Sequence, residues 1–221
     1  MSSAVLMASV QNPLEALVRE LWSHRPKPVL LGGGLAIPAA TALSAVLVSQ
    51  HRKVIFVDGA NRFNPYNVAR YARRIGCHPK DILDAKNFLL ARAFTCHQLI
   101  VLLEERVRKH LDDGPAILVV SGPLNTFMDE SVPWKEIRAL FRRLKKSLFQ
   151  ISETSSLLLA QHSVGGSRER HRLMRGLSSA AETMAIIEAS DRGPQVKIVK
   201  PERKVIRAGE ELALITAQGE A

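Results

Sequence analysis

Five short apolar runs alternate with helix-like stretches along this chain, and that alternation restricts the fold more than any other feature. Val29–Leu31, Lys53–Val57, Phe88–Ala93, Ala116–Val120 and Ser156–Ala160 are nearly continuous apolar segments. A strand solvated on one face alternates polar and apolar residues, whereas a strand covered on both faces does not. The intervening segments carry helical periodicity. Asn12–Pro13 supplies an N-cap and a first-turn proline to a helix with Leu14, Leu17, Val18 and Leu21 as its stripe. Further helices are expected over Ala39–Gln50, over Asn67–Ile75 closed by Gly76, and over Cys96–Asp112 with Leu99, Val101, Leu102, Leu103 and Val107 facing inward. Pro79–Asp84 reads as a turn or short helix. Over Pro133–Gln150, Ile137, Leu140, Phe141, Leu144 and Leu148 form one apolar stripe. The pattern predicts an α/β fold, a mainly parallel twisted sheet with helices on both faces. Glu182–Ser190 and Val196–Val199 read as further strands, with Leu212–Thr216 closing a C-terminal β-hairpin, and residues 163–176 as a Gly/Ser/Arg-rich loop. The organisation expected is a flexible arm over residues 1–11 and one domain over 12–221.

Composition narrows the function classes. The chain has 221 residues, 46% hydrophobic and 24% charged, an ordinary globular balance. Aromatics make up only 5%, too few for a base-stacking platform built from several rings. The net charge is +10 with a pI near 10.1, which suits contact with a polyanion or an acidic protein, or mere solubility. Cys77 and Cys96 stand alone, forming neither a disulfide framework nor a zinc pattern, and read as small buried hydrophobes. The start of the chain lacks a basic region and a long apolar stretch, and the apolar run Ala36–Val48 is short and interrupted by Pro38. A cytoplasmic protein is expected, away from membranes, and nucleoid-associated if it binds DNA. No metal and no cofactor is expected.

The first strand leads into Gly34-Leu-Ala-Ile-Pro-Ala39-Ala40-Thr41 and then an apolar helix. This is the setting of the Walker A phosphate loop, G-x-x-x-x-G-K-S/T. The first glycine and the final threonine are present, but Ala39 replaces the second glycine and Ala40 the lysine. Backbone N–H groups at a helix start still attract an anion. Pro38, however, removes one donor, and no lysine reaches the outer phosphates. The same residues also read as a plain strand-to-helix turn. As a residual nucleotide site the candidates are Gly33, Gly34, Thr41, Asp58 and Gln161.

Ala91-Arg-Ala-Phe94-Thr-Cys-His97-Gln98 is similar to the A-R-A-F-x-x-x-H-Q segment of archaeal and eukaryotic strand-exchange proteins. Val57-Asp58-Gly-Ala60-Asn-Arg-Phe63-Asn-Pro65 resembles their V-D-T-E-G-T-F-R-P, with Asp58, Phe63 and Pro65 matching. Over roughly residues 28–200 the chain thus resembles the ATPase core of the RecA/RadA recombinase family, without the N-terminal helical domain of its longer members. The resemblance implies a RecA-like core and equally implies what is missing. The water-orienting glutamate position is Ala60. The strand that ends in a magnesium-holding aspartate in the family ends here at Ser121, a weak partner for hydrated Mg²⁺. With Ala40 at the lysine position, three parts of the phosphoryl-transfer machinery are replaced together, so a pseudo-ATPase with no catalytic residues is expected. Gln161 resembles the glutamine that couples nucleotide to DNA loop in the recombinases, and otherwise reads as a relic that caps a strand end. His97 and Gln98 suit packing and capping at a helix start. His162 has no nucleophile partner in a recognisable motif.

Two segments concentrate positive charge: the polar side of Pro133–Gln150, with Lys135, Arg138, Arg142, Arg143, Lys145 and Lys146, and the loop carrying Arg168, Arg170, Arg172 and Arg175. The loop lies where the recombinases carry their second DNA-contacting loop. Arg138, Arg142, Lys146, Arg168, Arg170, Arg172 and Arg175 are therefore the candidate DNA contacts. A solvated helix face and an acidic protein partner are the competing readings. Three functions follow. One is a non-catalytic accessory factor in DNA repair or recombination that binds single-stranded DNA, a recombinase or a DNA polymerase. Another is a pure protein-interaction module of the translesion-synthesis or division-inhibitor type. The last is an ATPase with a non-standard site. The apolar residues of the arm also suit head-to-tail self-association.

Overall fold

The computed structural model describes residues 18, 19, 21, 28–162, 166–191, 194–201 and 203–207. The apolar runs form strands β1 (Val29–Gly32), β2 (Lys53–Asp58), β3 (Phe88–Arg92), β4 (Ala116–Ser121) and β5 (Ser156–Ala160), followed by β6 (Thr183–Glu188), β7 (Gln195–Lys200) and β8 (Lys204–Arg207). They make one eight-stranded sheet in the order β3-β2-β4-β5-β1-β6-β7-β8. Pairing is parallel from β3 through β6 and antiparallel from β6 to β8. The closing strand of the C-terminal hairpin is thus Lys204–Arg207; Leu212–Thr216 lie outside the described residues, as do the arm 1–11, Leu14 and Leu17.

Each face of the sheet has its own core. On one face, α1 (Ala36–Ser49) and α2 (Pro65–Arg74) cover Val29, Leu31, Val54, Phe56, Ile117, Val119 and Leu158. Nearly every residue of α1 is buried, which suits a helix this apolar all round. Asn64 caps α2, its side chain accepting from the Tyr66 N–H at 2.9 Å, so α2 starts two residues earlier than its periodicity suggested. A short helical turn, α3 (Pro79–Ile82), follows.

The opposite face is covered by the segment from Cys96 to Asp112, by α6 (Trp134–Ser152) and by α7 (Arg168–Ala180). The first of these is α4 (Cys96–Val101), a π-helical stretch Leu102–Val107, and α5 (Arg108–Asp112). Thr95, which the sequence reading did not single out, caps α4, and Gln98 folds back to accept from the Phe94 N–H at 2.8 Å, while His97 reaches Glu136 of α6 at 2.8 Å. Val101, expected inward, is 44% exposed. It lies roughly 140° around the helix from Cys96, off the stripe of Cys96, Leu99, Ile100 and Leu103. The π-helical stretch places Glu104 against α6, where Arg143 grips it at 3.2 and 2.5 Å. That contact holds the Glu104 carboxyl below its ordinary range, Arg143 being the main cause. A depressed carboxylate stabilises the fold above its unfolded-state pKa and loses that contribution as pH falls through the folded value. Glu104→Gln is therefore expected to be less stable than the parent near neutrality. The gap should close in strong acid when denaturant midpoints are followed against pH; a gap constant with pH would remove the assignment.

The largest departure from the sequence reading is residues 163–176. From Arg168 onward this is not a loop but α7, capped by Ser167 and anchored by buried Leu173 and Leu177. Residues 163–165 lie outside the described residues.

Candidate functional site

The C-terminal ends of the parallel strands carry the loops that ligands of open α/β sheets ordinarily meet. After β1 the chain turns through Gly33, Gly34 and Leu35 directly into α1. The Leu35 N–H donates to the Ile187 carbonyl on β6 at 3.1 Å, and the Ala36 N–H to the Gly33 carbonyl at 3.2 Å. Gly33 has φ +94 and packs so closely on β6 that a Cβ there would sit 2.4 Å from the Ile187 oxygen. Helix α1 begins at Ala36, three residues before the sequence suggested, so residues 36–38 are helical rather than loop. Pro38 fits because the first-turn N–H groups have no intrahelical partner. Ala39 and Ala40 are fully buried, and the Thr41 hydroxyl donates back to the Ile37 carbonyl at 3.2 Å.

Beside this turn, β2 ends at Asp58, which is fully buried. Its carboxylate accepts from the Phe63 N–H at 2.8 Å and the Arg62 N–H at 3.3 Å, with Arg92 Nε 3.7 Å away. This folds the loop back so that the Phe63 ring meets Phe56 and Phe88, with centroids 5.0 and 5.5 Å apart. The neighbouring β4 loop is equally tight. Gly122, at φ +57, donates to the Ala160 carbonyl at 2.7 Å, and a Cβ on it would meet the Ala60 Cβ at 2.5 Å. Ser121 is in register with Asp58 and fully buried.

Gln161 is also fully buried, and its amide ties two strand ends together. Oε1 accepts from the Leu124 N–H at 2.9 Å, while Nε2 donates to Asn125 Oδ1 at 3.1 Å and to the His162 carbonyl at 3.2 Å. Gln161→Ala leaves a buried N–H without its acceptor and is expected to cost about 1–3 kcal/mol, read as a lowered urea midpoint. An unchanged midpoint would show that the amide does not brace the β4 loop. Burial, with the nearby Arg62 charge, pushes the His162 pKa down.

The positive charges fall into two groups that the sequence alone did not separate. Helices α6 and α7 approach so closely that a Cβ on Gly176 would lie 2.7 Å from the Phe141 ring. Between them runs a groove of about 290 Å³ in which Arg138, Arg142 and Lys145 of α6 meet Arg172 of α7, with Trp134 and Phe141 in its wall. Lys146, Arg168 and Arg175 are exposed on the same two helices. Arg143 is turned away to Glu104, and Arg170 points to the other side of α7, 3.7 Å from Glu130. Sequence reasoning missed the contribution of Trp134 to this groove, and also missed a second, acidic-rimmed groove beside it.

Parallel strands β3-β2-β4-β5-β1-β6 flanked by helices, with a glycine turn feeding α1, define a RecA-like core. The Rad51 family model matches residues 33–157, more than half of the 221-residue chain, and the chain belongs to the Rad51 family, a recombinase family of DNA repair and recombination. No curated protein matches it. The matched span ends in β5, so α7 and the C-terminal hairpin lie beyond it. Among the described residues no group of His, Cys, Asp and Glu is arranged to hold a metal ion, and no helix is long and apolar enough to cross a membrane.

Proposed function

We propose that this chain is a non-hydrolysing member of its family, a pseudo-ATPase that serves DNA repair or recombination as an accessory factor. In this reading it holds single-stranded nucleic acid and a protein partner, such as a recombinase or a DNA polymerase, instead of turning over a nucleotide. The observation that carries the reading is the turn after β1. Its Leu35 N–H is engaged by β6 and its would-be phosphate loop is wound into α1. Beside it stand Ala40, Ala60 and Ser121, none of which supplies the charge that phosphoryl transfer needs.

ATP with Mg²⁺ at millimolar concentration is expected neither to raise the melting temperature nor to be hydrolysed. A ligand of the native state at a hundred times its Kd adds about 2.7 kcal/mol, a shift that thermal melting detects readily. A clear upward shift, or release of inorganic phosphate above a no-protein blank, would overturn the proposal in favour of an ATPase with a non-standard site.

Nucleic-acid contact is carried by a separate observation, the convergence of Arg138, Arg142, Lys145 and Arg172 on one groove. Guanidinium groups pair well with phosphate oxygens, and the half-buried Trp134 ring offers a limited stacking surface. A module that binds protein alone is the remaining reading, and the acidic-rimmed groove beside the basic one favours a protein partner.

A further inference from the structure

On the other side of Trp134 lies a groove of about 580 Å³ between the Phe127–Trp134 segment and the first turn of α7. Its floor is apolar: Phe127, Ile137 and Leu173 are buried, and Met128, Val132 and Trp134 are half-buried. Among the described residues its rim carries Asp129, Glu130 and Glu169 against one cation, Arg170. In a chain with a net charge of +10, this is a local reversal of sign.

We propose that this groove docks a peptide segment of a partner protein in which an apolar side chain stands beside a lysine or arginine. The apolar residue enters the floor against Met128 and Trp134, and the cation meets the carboxylate rim. Tryptophan-walled pockets ringed by polar groups are where interface binding energy concentrates. The rim is built to stay charged. The Ser131 N–H and hydroxyl hold Asp129 at 2.9 and 2.7 Å, and the start of α7 with Ser167 holds Glu169, so both carboxyls lie below their ordinary range. Each carboxylate has further lone pairs to accept from a ligand. Among the described residues lining the groove Arg170 is the sole guanidinium, and it lies 3.7 Å from the highly exposed Glu130, a loose pair that an incoming cation can replace. A phosphate backbone is repelled by the same rim, so the groove is not an extension of the basic one and stands independently of the nucleic-acid reading.

The test is selection of a phage-displayed library of random short peptides on the immobilised full-length chain. The enriched peptides are then synthesised and titrated while Trp134 fluorescence is followed in a Trp22→Phe background. The expected consensus pairs an apolar residue with Lys or Arg. Affinity should fall roughly tenfold or more in Asp129→Asn/Glu169→Gln, as for loss of interfacial charge partners, and should rise in Arg170→Gln. Glu169→Gln alone gives a smaller fall in the same direction and preserves the test if Asp129→Asn disturbs the turn at Ser131. No enrichment, an acidic consensus, binding that is indifferent to these variants, or weaker binding in Arg170→Gln would each overturn the proposal.

Discussion

Gly33→Ala is expected to destabilise the fold by about 2–6 kcal/mol, the sum of a non-glycine residue at positive φ and an overpacked contact. The contact is backbone on backbone. The new Cβ would sit 2.4 Å from the Ile187 oxygen, 3.0 Å from its carbonyl carbon and 3.1 Å from its nitrogen. No rotamer change relieves that clash, and moving β6 breaks its parallel pairing with β1, where Gly32 is in register with Ile186. Gly34 next door is the internal control: it is exposed, and a Cβ there meets nothing within 4 Å. Gly34→Ala should be neutral or slightly stabilising, because alanine restricts the unfolded chain. Urea titration of the two variants checks this directly. Equal midpoints would mean that the turn is not fastened to β6. The contrast bears on function because both glycines were candidates for cradling phosphate. In the structure Gly33 instead brings the turn against β6, where Leu35 spends its N–H.

Strands β1, β2, β4 and β5 were legible because burial on both faces leaves a plain chemical trace. β3, read the same way, is instead the edge of the sheet, with Phe88 buried and Leu90 44% exposed, though its boundary too falls close to its apolar run. The stripe on α6 was legible for the same reason. The segment after β5 was misread because glycine, serine and arginine density resembles a loop. Its helical signals are sparse: one N-cap serine at Ser167 and one i,i+4 pair, Leu173 and Leu177. Asp58 was expected just past a strand and is that strand's last residue, yet its role is set by the backbone that curls around it. The Phe63 N–H reaches its carboxylate only because the Phe63 ring packs into the core. Gln161 read as a strand-end cap more than as a coupling residue, and its hydrogen bonds to Leu124 and Asn125 are those of a brace. The two grooves were the least legible. The basic one lies between α6 and α7 and the acidic-rimmed one between the Phe127–Trp134 segment and the first turn of α7, and no local pattern states which side chains of distant segments share a space. Asp129-Glu130 was a visible acidic pair, but its apolar floor comes from residues as far away as Leu173.

The crossing of those helices sets the second large effect. Fluorescence anisotropy with a labelled single-stranded oligonucleotide is expected to show binding that weakens steeply with salt, and the Arg138→Ala/Arg142→Ala/Arg172→Ala variant should abolish most of it. Each phosphate neutralised on a single strand contributes roughly −0.7 to the slope of log K against log salt. Three contacts therefore remove about 2 from the slope, and roughly a hundredfold or more in affinity at low salt. The three arginines are exposed and make no ion pair among the described residues, so their loss should leave the melting temperature nearly unchanged. Two controls distinguish a groove from diffuse basicity. Arg143→Ala removes an equal charge from the same helix, but that guanidinium is committed to Glu104. Arg170→Ala removes one from α7, but on the side facing Glu130. Both should keep nearly the full salt slope. If either control lowers affinity as much as a groove arginine does, the charge acts through the overall field and not at a site. If the triple variant binds as the parent does, the basic groove does not hold nucleic acid, and its cations are left to serve an acidic protein surface.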